Sequence, residues 1–377
     1  MGFRLAARPC LVRGIGYPST RSIDGSNAND DPHKGIIIVY YAPGIDAFLE
    51  ERTHLLDENG VELITEAKSS VNYVKAAIRL VDNLMNTDHQ VFEVVRRKGE
   101  ASVRTDHLGR QILKLTADHV GWYESHLPLY RINPLFTLFK RFLGPLSVLH
   151  GHACVNHVDR INKAIEKVRA FVRSRALRRR LDNIRRCQRA NEASARELCA
   201  GIRKAFYRAL VVRVDLAYVS VRAGRKGYGA SPVTFQQARR DRDKFLKNLR
   251  KGPYSEHVIG YVWKMEYGVD KGYHFHVAVF FDGQHRRGDI SLANRLGELW
   301  KSIATGGHGT FFNCNMRKEQ HERNGRNGLG MAARDDHAKW RNVVEYAISY
   351  LWKADLFFRF QAPGKCRAFG VGGPYRR

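Results

Sequence analysis

The chain has 377 residues, 44% hydrophobic and 27% charged, the balance of a folded globular protein rather than a disordered one. Sixty-four Lys and Arg stand against 37 Asp and Glu, a formal net charge of +27, which favours a polyanionic partner: nucleic acid first, an anionic membrane surface second. No membrane span is expected, because the most apolar region, 130–150, is broken by Arg131, Lys140, Arg141 and two prolines.

Residues 1–34 are rich in Gly, Ser, Asn, Asp and Arg and read as a flexible basic arm without the apolar run of a secretory signal. The stretch 35–41 (GIIIVYY) reads as a buried strand, 44–86 as helical, and 111–124 as a strand or strand pair. A cluster at 150–157 (HGHACVNH) has zinc-ligand residue types, but its spacing is irregular and no partner pair follows, so surface histidines at a helix start are the simpler reading. From 159 to about 209 the pattern is helical. Between Asp159 and Ala190, twelve Lys or Arg face three acidic residues. Apolar Ile161, Ile165, Val168, Val172, Leu177, Leu181 and Ile184 recur at helical steps. The basic face is either solvated or tracks phosphates. The six cysteines are scattered and never form CxxC pairs, which fits a reducing cytoplasm rather than a disulfide framework.

The pattern changes near residue 200. The remaining elements read strand 210–221, helix 234–249, strands 257–267 and 273–281, helix 292–303, strand 310–315 and a final helix 338–353. This β-α-β-β-α-β order is that of a ferredoxin-like antiparallel sheet with helices on one face. The fold class is therefore α+β: 1–34 an arm, 35–200 a mostly helical basic region suited to origin recognition by charge, and 201–377 the sheet domain. The segment 316–336 carries Arg317, Lys318, Arg323, Arg326 and Arg334 among glycines and asparagines, and reads as a disordered linker or a basic loop closing on single-stranded DNA.

The sharpest local pattern is YVWKMEYGVDKGYHFHVAVFFDG, 261–283, two strands around a turn. Ile259, Tyr261, Trp263, Met265 and Tyr267, with Phe275, Val277, Val279 and Phe281, form one apolar face. If Tyr267 pairs with Tyr273, Glu266 lies opposite His274 and Lys264 opposite His276. One carboxylate and two imidazoles then share the other face, a set suited to a divalent cation. On the preceding strand Arg213 and Asp215 point to that same side. In the final helix, Trp340, Val344, Ala347, Ile348 and Leu351 form an apolar stripe. Tyr346, Tyr350 and Lys353 share a different face, within roughly 60° at helical spacing. A Tyr hydroxyl is a weak nucleophile at neutral pH and needs a neighbouring cation.

Together, RVDLAY (213–218), EYGVDKGYHFH (266–276) and YAISYLWKAD (346–355) resemble rolling-circle replication initiators of the HUH endonuclease superfamily. The chain is most similar to YagK/YfjJ-type prophage proteins and to filamentous-phage (inovirus) replication proteins. GELWKSIATGGHGTFFNCN (297–315) and the tail 358–370 support the likeness. The histidine pair precedes the tyrosines, as in initiators; in conjugative relaxases the tyrosine comes first. Ser349 stands before Tyr350, where two-tyrosine initiators often carry Lys. The resemblance implies nicking of one strand of single-stranded or supercoiled origin DNA by Tyr350, with Tyr346 taking a second transfer and Lys353 holding phosphate or the leaving oxygen. It implies Mg²⁺ or Mn²⁺ on Glu266, His274 and His276, and a host helicase and DNA polymerase as partners. Arg213, Asp215, Lys264, Arg317 and Lys318 are the expected nucleic-acid contacts. The rivals are a catalytically inactive DNA-binding relative that regulates an origin, and a single-strand transposase or relaxase-type nickase.

Overall fold

The computed structural model describes residues 54–56, 62–64, 66–117, 129–219, 221–222, 225–226, 233–253, 255–268, 272–304, 307–353, 357–363 and 366–373. The expected arm at 1–34, the strand at 35–41 and the segment 118–124 lie outside them.

The N-terminal part is mostly helical. A short antiparallel pair, β1 (His54–Leu56) and β2 (Glu62–Ile64), precedes α1 (Glu66–Met85), so the helix read over 44–86 begins only at Glu66. A hairpin of β3 (Phe92–Arg97) and β4 (Glu100–Thr105) leads to α2 (His107–Ala117). The strand expected from 111 is thus helix as far as 117. Leu108, Ile112 and Leu115 recur at helical steps and are buried, and the Tyr73 hydroxyl of α1 donates to the Leu115 carbonyl at 2.6 Å. After β5 (Tyr130–Ile132) and several short turns come α3 (Val158–Val172) and α4 (Arg175–Ala205). Ser174 ends the first and caps the second, its hydroxyl accepting from the Leu177 amide. At ~1.5 Å per residue, α4 is about 46 Å long, and it runs through position 200. His150 and His152 are exposed just before α3, and His157, at its start, is half-buried.

The C-terminal part is built on one antiparallel sheet. Its strands are β6 (Arg208–Tyr218), β9 (Val258–Gly268), β10 (Gly272–Asp282), β11 (Gly309–Asn313), β12 (Gly330–Ala333) and β14 (Phe369–Gly372). A small ribbon, β7 (Val221–Arg222) with β8 (Arg225–Lys226), follows β6, and β13 (Phe358–Phe360) pairs with β5. The order across the sheet is β11-β6-β10-β9-β14; β12 extends the β11 side along the start of β6. Two helices, α5 (Phe235–Lys251) and α6 (Asp289–Ile303), cover one face. Thr234 caps α5 by accepting from the Gln237 amide. Val212, Val214, Leu216, Met265, Phe275, Val277 and Val279 meet Phe245, Leu249, Leu296 and Trp300 in the core. The alternation expected of β9 holds from Tyr261 to Met265. Toward its start a bulge pairs Phe281 with Val258, so Val258 rather than Ile259 joins that core.

The other sheet face is covered too, contrary to the one-sided arrangement read from element order. Leu198 and Ile202 of α4 press on Gly260, where a Cβ would lie 2.9 Å from both side chains. The segment 316–336 is neither linker nor loose loop: it holds helical turns from 314 to 323, and β12. The final helix is not uniform. His337–Asn342 is α-helical, Val343–Ile348 is a π-helix, and Tyr350–Lys353 is α-helical again. Gly260→Val should lower the unfolding free energy by about 1–3 kcal/mol by forcing α4 off the sheet; guanidinium denaturation measures it, and unchanged stability would contradict the packing.

Candidate active site

The hairpin register is the one that alternation predicts: Tyr267 opposes Tyr273, Glu266 opposes His274, and Lys264 opposes His276. On the far side of β10, His276 opposes Asp215 and Ala278 opposes Arg213. Directly opposed residues share a face, so Asp215, His276, Lys264, Glu266 and His274 converge on the side away from α5 and α6.

Glu266, His274 and His276 bring one ligand atom each to within 4.8 Å of one another. They are 1%, 7% and 6% exposed. The Nε2 atoms of His274 and His276 lie 3.6 and 3.3 Å from Glu266 Oε2. The other ring nitrogens are held from outside. His274 Nδ1 donates to the Gly272 carbonyl at 3.1 Å, and His276 Nδ1 stands 2.8 Å from Asp215 Oδ1. Both Nε2 atoms therefore face the carboxylate, and each outer partner orients its ring from the opposite side. Burial pushes the His276 imidazole down, but the Asp215 and Glu266 carboxylates outweigh it and hold the pKa above its usual value. Two nitrogens and one oxygen so placed could hold a metal ion.

Tyr350 completes the cluster. Its ring meets His276 edge-on at 5.2 Å between centroids, and the Arg213 guanidinium lies 4.0 Å from its ring centre. Sequence spacing put Tyr350 off the apolar stripe; the structure turns it inward, 3% exposed. The π-helix immediately before it explains the rotation, because i→i+5 bonding takes more residues per turn. For the same reason Val343 is buried where Val344 was expected, and Tyr346 is only half-buried, its ring beneath Arg326 at 5.6 Å. Burial raises the Tyr350 phenol well above its usual pKa, against the pull of Arg213.

The remaining expected contacts divide. Lys353 is buried, its Nζ 3.2 Å from Glu345 Oε2, and Glu345 also holds Arg196 of α4 at 2.6 Å. Lys264 is fully buried beside His276 rather than on a nucleic-acid surface. Lys318 is spent on Asp289, 2.9 Å away. Arg317 rests 5.0 Å over the Phe312 ring. Phe312, opposite Asp215 on β11, is 37% exposed on the cluster's face. Sequence reading missed it, although its parity with Asp215 was there to find once β11 was paired. It also missed the brace behind β6: Asn315 accepts from the Arg213 amide at 2.8 Å and donates to Asp289 at 2.8 Å.

Residues 201–372 match the family model described as the YagK/YfjJ C-terminal domain. No curated protein and no solved structure matches the chain.

Two outcomes test this arrangement. Asp215→Asn should weaken Mn²⁺ binding about 10–100-fold, because the imidazole loses the partner that orients it; titration calorimetry reads this. Burial pushes the Asp289 carboxyl up, but Asn315 and Lys318 bring it below its usual 3.8. Its stabilising contribution is therefore complete above pH 3.8 and disappears as pH falls through the lower folded value. Asp289→Asn should remove that part of the acid dependence of unfolding.

Proposed function

We propose that this protein is a DNA replication initiator that nicks one strand at an origin by tyrosine transesterification, leaving a 5′-phosphotyrosine link and a 3′-OH, and later rejoins the displaced strand. The observation that carries this reading is the Tyr350 ring packed on His276 of the Glu266–His274–His276 cluster. A phenol, a cation-binding set and a guanidinium in one buried pocket are the groups that phosphoryl transfer to tyrosine requires.

The chemistry balances without a nucleoside triphosphate. The Tyr350 oxygen attacks the scissile phosphorus, the bond to the 3′ oxygen breaks, and that oxygen leaves as a hydroxyl after taking up a proton. The phosphodiester is kept as the tyrosyl ester, which a 3′-OH attacks in the joining step. When bound, Mg²⁺ or Mn²⁺ on Glu266, His274 and His276 supplies positive charge for the phosphate oxygens. Arg213 on the phenol ring steadies it and favours its deprotonated form. The half-buried Tyr346 is the candidate for a second transfer, and Lys353, at the end of the same helix and paired with Glu345, is the candidate for holding phosphate or the leaving oxygen. Phe312 with Arg317 offers a base-stacking surface one strand beyond Asp215.

The sheet order supports a ferredoxin-like, HUH-type core. Numbering β6, β9, β10 and β11 one to four, their order across the sheet is 4-1-3-2, with α5 and α6 on one face. The match at 201–372 supports the YagK/YfjJ likeness. The high positive charge supports DNA as substrate, with helicase and polymerase supplied by the host cytoplasm.

A second reading, a DNA-binding relative that regulates an origin without cutting it, draws on the burial of Tyr350, whose hydroxyl must be uncovered to reach a phosphate. Incubation with single-stranded DNA and Mn²⁺, then a denaturing gel, separates the two. The nickase forms a covalent protein–DNA band that Tyr350→Phe and His276→Ala reduce at least about a hundredfold. Tyr346→Phe spares the first cut and impairs joining. No band with native protein on any origin-bearing strand supports the regulator.

A further inference from the structure

A cleft of about 440 Å³ lies between the β5–β13 ribbon and α4, away from the metal-ligand cluster in the sequence and in its lining residues. Three arginines line it: Arg131 from β5, Arg359 from β13 and Arg180 from α4. Arg131 and Arg359 are direct cross-strand partners on the ribbon. Like charges placed opposite one another destabilise a strand pair. No acidic residue lines the cleft, and among the described residues none of the three arginines forms an ion pair with a carboxylate. Asn183, Gln361 and the Tyr130 ring supply hydrogen-bonding groups and an apolar wall.

The ribbon that sets these charges together is firmly built. The Tyr267 amide of β9 donates to the Tyr130 hydroxyl at 3.1 Å, the Gln361 amide to the Leu129 carbonyl at 2.8 Å, and the Asn133 amide to the Phe357 carbonyl at 3.0 Å. Three exposed arginines set on backbone from three parts of the chain, with no acidic residue in the lining, suit an oxyanion that guanidinium forks can grip.

We propose that this cleft binds a backbone phosphate of a nucleic-acid strand. The net charge of +27 and the run of exposed arginines along α4 beside Arg180 favour a polyanion over a single small ion. The proposal does not rest on the nickase reading: the cleft shares no residue with the tyrosine or the metal-ligand set, and it would bind DNA even in a protein that cuts nothing.

The test measures fluorescence anisotropy of the full chain with labelled single-stranded and duplex DNA across a range of salt. The double variant Arg131→Gln/Arg359→Gln should lose about tenfold or more in affinity at 100 mM salt, and the salt slope should fall by roughly 1.4–1.8. Arg180→Gln should reduce the slope further. Arg131→Lys/Arg359→Lys should keep most of it, and melting temperatures should show that all variants fold. Mn²⁺ binding should be unchanged in every variant, so failure of the cleft and failure of the nickase reading are read separately. Unchanged DNA affinity and slope would overturn the proposal. So would an equal loss from Lys247→Gln on α5, which would mean a diffuse field, or loss of inorganic phosphate binding with DNA affinity intact, which would mean a free phosphate ligand.

Discussion

The structure turns on a single row of cross-strand neighbours. Antiparallel pairing places Phe312, Asp215, His276 and Lys264 side by side across four strands, and the next position along the hairpin adds Glu266 opposite His274. His276, Lys264, Glu266 and His274 are almost wholly out of water. A carboxylate and imidazoles there are tolerable only if charge and hydrogen-bonding capacity are matched. Asp215 and the Gly272 carbonyl do this from the outside, and they leave two nitrogens and one oxygen turned toward a common centre. One residue of slippage in the register would turn these side chains into the α5–α6 core.

The tyrosine reaches that centre because the closing helix departs from regular geometry. A uniform α-helix from 338 to 353 would have kept Tyr350 with Tyr346, away from the apolar stripe. The π-helical stretch turns Tyr350 under the cluster and leaves Tyr346 at the rim. Glu345, within that stretch, ties the helix to α4 through Arg196 and to its own end through Lys353, so the irregular segment is clamped from both directions. Burial pushes the Glu345 carboxyl up, and the two cations bring it below its usual range, which keeps the clamp charged at neutral pH.

What could be read in the sequence follows from how local each feature is. Period-two alternation and a short turn placed Glu266, His274 and His276 on one face because hairpin register is set by residues close in the chain. The helical steps of 159–209 were legible for the same reason, and Ser174 marks the break within them. The π-helix was not, since Val343, Val344, Ala347 and Ile348 satisfy either helical period until packing chooses. The order within 316–336 depends on β12 joining the start of β6, more than a hundred residues earlier, and no run of Gly, Asn and Arg announces such a partner. Lys318 looked free for DNA because its carboxylate, Asp289, lies 29 positions away. The helix cover on the cluster's face was missed because element order says nothing about which face a preceding helix will reach.

The long helix α4 has one more consequence. The stretch of family likeness begins at residue 201, four residues before the helix ends, whereas Leu198, which lies against Gly260 of the sheet, precedes it. A polypeptide cut where the likeness starts would lose Leu198 from above Gly260 and keep only Ile202 of that pair. In this chain the matched stretch begins inside a helix, and residues that precede it supply part of the cover on the sheet.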